Sequence, residues 1–157
     1  MVKIVVALPI REPKDIEKAK SIDADFVELR LDYMRDLSLF DLSLISDIKN
    51  KAIITIRDIE EGGINKIDDD IKAKLLKKLH DEGFIYDVEA RFLKRRPDVP
   101  FEGKIVSVHY FDRVPSYNEV ESILKPFENA WIRKIAVIGK EGYQELLVKF
   151  ARKGFAV

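Results

Sequence analysis

Short apolar runs of strand length alternate along the chain with longer segments whose hydrophobic residues recur at helical spacing. Runs rich in Val, Ile and Leu predict strands, which lie at about 3–10, 25–32, 51–57, 84–91, 104–110 and 131–138. The helical spacing and its capping residues predict helices at about 13–22, 37–49, 68–82, 116–127 and 142–153. This alternation is typical of a parallel α/β sheet.

Two segments depart from the alternation. Segment 93–103 holds two prolines and three consecutive basic residues, which leaves room for little more than a turn of helix. After Gly154, residues 155–157 resemble the opening of a seventh strand. Because no linker rich in Pro, Gly or Ser interrupts the chain, residues 1–157 are expected to form a single domain.

Polar residues occupy alternate positions in five consecutive strands, and alternate positions share one face of a strand. A parallel sheet covered by helices on both faces would leave these groups without solvent. A barrel would instead enclose them while its apolar side packs under helices. We therefore predict a TIM-like (β/α) barrel. Its inward-facing polar residues would be Glu28, Arg30, Asp32, Thr55, Arg57, Asp87, Glu89, Arg91, Ser107, His109 and Lys134.

Lys134 is the most unusual of these residues because it lies in the middle of the apolar run 131–139. Burying an ammonium group lowers its pKa or requires an anionic partner. A desolvated lysine is also a good imine-forming nucleophile. The alternatives are a salt-bridged or snorkelling lysine, and an interior of paired charges that has no chemistry. The polar faces of the neighbouring strands favour the nucleophile.

The composition excludes several classes of function. Lys plus Arg number 28 and so do Asp plus Glu, so no net charge favours nucleic acid or an anionic membrane. No apolar run approaches the roughly 18 residues that span a bilayer, and the apolar start lacks a cleavage site, so a cytoplasmic location is expected. The absence of cysteine excludes thiol nucleophiles and cysteine metal sites. High charge with a single glutamine indicates a thermophile.

Four other features have simpler interpretations. The basic cluster 94–96 lacks interleaved aromatic residues and is expected in a solvated loop. His80 has no metal-ligand companion and is expected at the surface. Gly62 and Gly63 lack the lysine of a P-loop and are expected in a mobile loop over the barrel mouth. Trp131 is expected in the core or against a helix.

Five motifs in order resemble the type I 3-dehydroquinate dehydratases, the Schiff-base (β/α)8-barrel lyases of the shikimate pathway of aromatic amino acid biosynthesis. They are FVELRLD at 26–32, ITIR at 54–57 leading into EEGG at 60–63, YDVE at 86–89, VSVH at 106–109 and KIAV at 134–137. The resemblance implies dehydration of 3-dehydroquinate to 3-dehydroshikimate without a cofactor or a metal.

The resemblance also implies a role for each matching residue. Lys134 would form the imine, His109 would move protons as general acid and base, and Glu61 would orient His109. The substrate-binding residues would be Glu28, Arg30 and Arg57. The supporting residues would be Asp87, Glu89 and Ser107.

The chain departs from the family at its C-terminal side. In the family, strands 7 and 8 supply an arginine for the substrate carboxylate and a lid loop, and residues 1–157 contain neither. At 157 residues the chain is shorter than the roughly 250 of a typical (β/α)8 barrel. Three explanations stay open: a fragment or shortened chain, a barrel completed by a partner chain such as a homodimer, and a homologue that serves only as a scaffold. A class I aldolase is a further alternative, against which the Arg57–Glu61 spacing and His109 argue.

Overall fold

A computed structural model describes residues 2–157 and shows six parallel strands in one sheet, in the order of the sequence. The strands are β1 (Val5–Pro9), β2 (Phe26–Arg30), β3 (Ala52–Thr55), β4 (Ile85–Glu89), β5 (Ile105–Tyr110) and β6 (Ile132–Val137). Because each strand pairs with its neighbours in sequence, the sheet forms a section of a barrel wall. The prediction of an incomplete (β/α) barrel with six strands is confirmed, as a curled half-barrel.

Four α-helices lie between successive strands and a fifth follows β6. They are α1 (Ile16–Lys20), α2 (Asp69–Asp81), α3 (Ala90–Arg95), α4 (Tyr117–Leu124) and α5 (Tyr143–Ala151). The predicted helices at 13–22, 68–82, 116–127 and 142–153 are confirmed with narrower bounds. The six-residue α3 also agrees with the short connection predicted after β4, since Pro97 follows soon after its last residue.

The helix predicted at 37–49 is wrong. Two 3₁₀ segments, Leu37–Leu39 and Leu42–Ile48, occupy this region. Asp36 accepts a hydrogen bond from the backbone N–H of Ser38, and Asp41 accepts one from that of Ser43. Such local side-chain bonds favour turns over a continuous α-helix, although the hydrophobic spacing fits either conformation.

The core lies between the sheet and the helices. One set of alternate strand residues is fully buried there: Val27, Leu29, Ile54, Tyr86, Val88, Val106, Val108 and Ile135. Helix α2 contributes Leu76 and Leu79, and α5 contributes Phe150. The other set of alternate residues therefore faces the barrel interior, as the alternation of side chains along a strand requires.

Three predictions of exposure or burial need correction. Segment 94–96 is not a loop, because Lys94 and Arg95 close helix α3, and Arg95 pairs with Asp58 and Asp69. His80 is half-buried, and within residues 2–157 its Nδ1 has no hydrogen-bond partner. Trp131 is 47% exposed rather than buried in the core, because it lies at the open side of the half-barrel, where its ring meets that of Phe26 edge-on.

The last residues lie beside β6. Ala156 forms a parallel bridge with Lys134, with backbone hydrogen bonds of 2.9 Å to Ile135 and 3.0 Å to Arg133. The predicted start of a seventh strand is therefore present as this bridge. None of the helices within residues 2–157 is long and apolar enough to cross a membrane.

Candidate active site

A cavity of about 410 Å³ opens into the interior of the half-barrel. Its floor is apolar and includes Phe26, Ile53 and Ile132, near the beginnings of their strands. Two residues further along the same faces, the lining becomes ionisable, with Glu28 on β2 and Lys134 on β6. The cavity therefore has an apolar base beneath a charged upper layer.

Lys134 projects into this charged layer. Its Nζ donates a hydrogen bond of 2.9 Å to Oδ2 of Asp87. The Lys134 side chain is 28% exposed, whereas that of Asp87 is 1% exposed. The ammonium group is thus anchored from behind by a buried anion while it remains accessible from the cavity.

Arg57 is the buried cation at the centre of the layer. Its guanidinium lies 3.1 Å from Asp87 and 3.0 Å from Glu89, and it donates to Oγ of Ser107 at 2.8 Å. Burial alone would raise the pKa of Asp87, but the charges of Arg57 and Lys134 outweigh burial and hold this pKa well below its usual range. Asp87 is therefore ionised and serves as a fixed counter-charge for Lys134.

The arrangement makes Arg57 a stability determinant. Arg57→Met should lower the free energy of unfolding by roughly 3–5 kcal/mol, because it leaves the buried carboxylates of Asp87 and Glu89 short of a cation. Urea denaturation measures the loss. Arg113→Met is the matched control, because Arg113 is half-exposed and its ion pair within residues 2–157 is with Glu119, so the denaturation midpoint should barely move. Equal midpoints for both variants would contradict the assigned burial of charge.

His109 and Glu61 form the second functional pair. Oε2 of Glu61 lies 2.9 Å from both the Nδ1 and the backbone nitrogen of His109, and Oε1 accepts from Arg91 at 2.9 Å. Because a carboxylate can only accept, Nδ1 carries the proton and Nε2 is left as the basic nitrogen. Burial lowers the pKa of His109, and the Glu61 hydrogen bond opposes this effect only in part.

A tight turn positions Glu61. The 3₁₀ turn Ile59–Glu61 is closed by the Asp58 carbonyl, which accepts from the N–H groups of Glu61 at 2.9 Å and Gly63 at 2.8 Å. Gly62 has a φ of 90°, and a Cβ added at Gly63 would lie 2.1 Å from the carbonyl oxygen of Arg57. The two glycines thus belong to a hydrogen-bonded turn that directs Glu61 toward His109, and the mobility of this segment stays a prediction.

The remaining predicted residues lie at the edge of the layer. Glu28 accepts from Oγ1 of Thr55 at 2.7 Å and lies 3.8 Å from Arg57. Arg30 makes a two-pronged contact with Asp32, at 2.8 and 2.9 Å. The side chain of Arg30 is 20% exposed and that of Arg57 is 3% exposed, and within residues 2–157 the bonds of Arg30 do not include Lys134 or Asp87.

Reasoning from the sequence missed Lys72, which is 1% exposed and bonded to Glu89 and Asp58. A signal was available. Lys72 precedes Leu76 by four residues and Leu79 by seven, so helical periodicity places it on the buried face of α2. A lysine at such a position requires an anionic partner.

Parallel strands that curl around a cavity of ionisable side chains define a (β/α)-barrel enzyme. The type I 3-dehydroquinase family model matches residues 2–153, and the chain belongs to this family of hydro-lyases. A 3-dehydroquinate dehydratase of Sulfolobus acidocaldarius is 48% identical over 149 residues, which cover 94% of this chain and 68% of the relative. One from Saccharolobus solfataricus is 42% identical over 154 residues, covering 92% and 68%.

Solved structures agree with this family. A type I 3-dehydroquinate dehydratase of Clostridium difficile, solved with covalently modified comenic acid, has a TM-score of 0.73 at 25% identity and covers 94% of this chain and 67% of its own. A 3-dehydroquinate dehydratase of Geobacillus kaustophilus has a TM-score of 0.75 at 21% identity and covers 100% and 72%, which supports the fold. The chain thus spans about two thirds to three quarters of these relatives.

Proposed function

We propose that the protein dehydrates 3-dehydroquinate to 3-dehydroshikimate through an imine on Lys134, as a step of the shikimate route to aromatic amino acids. The observation that carries the proposal is the accessible Lys134 ammonium, held at 2.9 Å by the buried Asp87 in the same interior as the Glu61–His109 pair. The names of the relatives support the substrate. The covalently modified ligand of the Clostridium difficile structure supports covalent chemistry in the family.

Asp87 suits each stage of imine formation. The ammonium of Lys134 and the substrate ketone combine to give a protonated imine and one water molecule, so the positive charge stays on the same nitrogen. Asp87, whose pKa is held low, pairs with that charge before and after the reaction. The protonated imine then serves as the electron sink that a metal would otherwise supply.

Elimination needs a proton to move twice, and the proposal assigns both transfers to His109. Nε2 of His109 takes the proton from the carbon next to the imine, and the electron pair moves to the imine nitrogen to give an enamine. The enamine expels the β-hydroxyl as His109 returns the proton, which releases water. Glu61 stabilises the imidazolium that exists between the two transfers. Hydrolysis of the imine then frees the product and Lys134.

Glu28, Arg30 and Arg57 are proposed to bind the substrate hydroxyls. The buried carboxylates of Asp87 and Glu89 hold Arg57 in a fixed position, from which its remaining N–H groups would donate hydrogen bonds to the substrate. Glu28 lies beside Arg57 and lines the cavity, and Arg30 is more exposed than Arg57. The supporting residues are Asp87, Glu89 and Ser107, all buried around Arg57. A cytoplasmic location, adaptation to heat and pairing with a second copy stay predictions.

A non-catalytic scaffold is the alternative, and the comparisons do not favour it. Buried charge clusters are costly to keep and are often no more stable than an apolar replacement. An interior that served only as a scaffold would have no use for an accessible lysine on a buried aspartate. The presence of this accessible lysine therefore favours an active enzyme over a scaffold.

A turnover assay tests the proposal. Purified protein mixed with 3-dehydroquinate should produce a rise in ultraviolet absorbance, because the product contains a conjugated enone. The Lys104→Met variant serves as a control that should retain turnover, because buried Lys104 immediately precedes β5, five residues before His109, and donates to the Phe84 carbonyl. Absence of turnover in the unaltered, folded protein would contradict the proposal.

The turn that carries Glu61 provides a separate prediction. Gly63→Ala should lower kcat by about 10²-fold, because the added Cβ forces the backbone away from the Arg57 carbonyl and displaces Glu61 from His109. Steady-state kinetics measure the effect. Gly139→Ala is the control, because a Cβ there meets nothing within 4 Å. Unchanged kcat in Gly63→Ala would show that the turn does not align the proton-transfer pair.

A further inference from the structure

Lys72 is a buried cation that the proposed mechanism does not use. It lies on α2, and its Nζ is 2.5 Å from Oδ1 of Asp58 and 2.6 Å from Oε2 of Glu89. The ammonium also lies over the ring of Phe92, 4.2 Å from its centroid. Lys72 thus joins the outer helix to the ends of two barrel strands, from behind the cavity.

Through the backbone of the turn, the bond from Lys72 to Asp58 affects the Glu61–His109 pair. Asp58 precedes the 3₁₀ turn Ile59–Glu61, and its carbonyl closes that turn. The turn holds Glu61, whose carboxylate bonds to His109 at 2.9 Å. The position of Asp58 therefore sets the position of Glu61. Arg95 holds the second carboxylate oxygen of Asp58 at 2.9 Å from the solvent side, so Lys72 provides the inward pull.

The bond from Lys72 to Glu89 affects the same turn, because Glu89 contacts the backbone of Asp58. Oε1 of Glu89 accepts from the backbone N–H of Asp58 at 3.0 Å and from Arg57 at 3.0 Å. Oε2 is the oxygen that Lys72 holds. With both oxygens engaged, the carboxylate cannot rotate, and it fixes the backbone at the end of β3.

We propose that Lys72 is a positioning residue for catalysis, which holds Asp58 and Glu89 so that Glu61 stays aligned with His109. This inference rests on the proposed function for its catalytic consequence but not for its geometric one. Lys72 touches no reacting atom. Its loss lets Asp58 follow Arg95 outward, and the turn that holds Glu61 moves with it.

The titration of His109 reports this movement without any turnover. The charged groups that face His109 are Glu61 from the turn, Arg57 from just after β3, Asp87 from β4 and Lys134 from β6. Arg91 of α3 also contacts its carbonyl oxygen. Burial lowers the pKa of His109, and the bond from Glu61 is the largest opposing effect. Loosening of Glu61 therefore lowers this pKa further.

The direction in which the pKa of His109 shifts distinguishes a displaced Glu61 from the simple loss of a positive charge at residue 72. In Lys72→Met the pKa of His109 should fall, because the Glu61 bond weakens. If Glu61 stayed in place, removal of a nearby positive charge would raise the same pKa. NMR titration of labelled histidine resolves the two cases, since the chain has only two histidines and a His80→Gln variant assigns the signals.

The variants are chosen so that each result supports or overturns the inference. Lys72→Met should lower the pKa of His109 and reduce kcat roughly tenfold, a part of the 10²–10⁴ that proton transfer supplies. Lys72→Gln, which keeps a hydrogen-bond donor in the pocket, should give a smaller shift in the same direction if the methionine variant does not fold. Lys104→Met removes another buried ammonium, 7% exposed, and should leave the His109 pKa unchanged.

Three results would overturn the inference: a raised His109 pKa in the Lys72 variants, an unchanged one, or an equal shift in Lys104→Met. Failure of the proposed function has a different signature. The unaltered protein would then show no turnover, while the His109 pKa would still fall in the Lys72 variants.

Discussion

Lys134→Arg should lower kcat by at least about 10⁴-fold while the protein stays folded, because a guanidinium can pair with Asp87 but cannot form an imine with a ketone. Arginine is chosen because it keeps a positive charge beside Asp87. Asp87 is 1% exposed, and an apolar residue at 134 would remove one of its two cations, so loss of activity could reflect misfolding. Kinetics with 3-dehydroquinate and a thermal melt on the same sample measure the two effects separately.

Lys104→Arg is the matched control for this substitution. It makes the same exchange at a buried lysine whose partner is the Phe84 carbonyl rather than a carboxylate of the cavity. The control should retain turnover within a few-fold of the unaltered protein. Turnover of Lys134→Arg within tenfold of the unaltered protein would contradict an imine mechanism at this residue.

His109→Gln is expected to produce the next largest effect, a loss of about 10²–10⁴-fold in kcat, because the amide cannot accept and return a proton. Glutamine still reaches Glu61 with a hydrogen-bond donor, so the turn should keep its position. Steady-state kinetics with a circular dichroism check measure the effect. His80→Gln is the control on the other histidine, which lies near the end of α2, and it should leave kcat unchanged.

The pH profile follows from the same residue. Burial lowers the pKa of His109 from its usual 6.5, against the opposing bond from Glu61. A lowered pKa keeps the imidazole neutral to lower pH, so the acidic limb of kcat/KM should have its midpoint below 6.5. Glu61→Gln removes the charge that raises this pKa, so the limb should move to still lower pH while kcat falls. A midpoint above 6.5 would contradict the assignment of His109 as the buried base.

Alternation along the strands explains why so much of the barrel could be predicted from the sequence. Side-chain direction in a strand depends only on parity, so Glu28, Asp87 and Lys134 could be placed on one face before any contact was known. Prediction from local pattern fails between residues 37 and 49. There, hydrophobic spacing suits both helix types, and the bonds of Asp36 and Asp41 to nearby N–H groups decide between them.

The pairing of charges could not be predicted in this way, because it depends on which strands meet. Parity places Arg57 and Glu89 in the interior, but nothing local shows that Arg57 contacts Asp87, Glu89 and Ser107 at once. Helical periodicity could have placed Lys72 on the buried face of α2, but not its partners, which lie on β4 and just after β3. Trp131 was misplaced because its exposure depends on the open side of the sheet, which strand periodicity does not describe.

The central claim is a covalent imine on Lys134, and trapping it tests that claim most directly. The protein is incubated with 3-dehydroquinate and reduced with borohydride, and its peptides are then analysed by mass spectrometry. The account predicts one ligand mass on the peptide that contains Lys134, and none in the Lys134→Arg variant or without substrate. A turnover-competent sample that yields no adduct, or an adduct on another lysine, would contradict it.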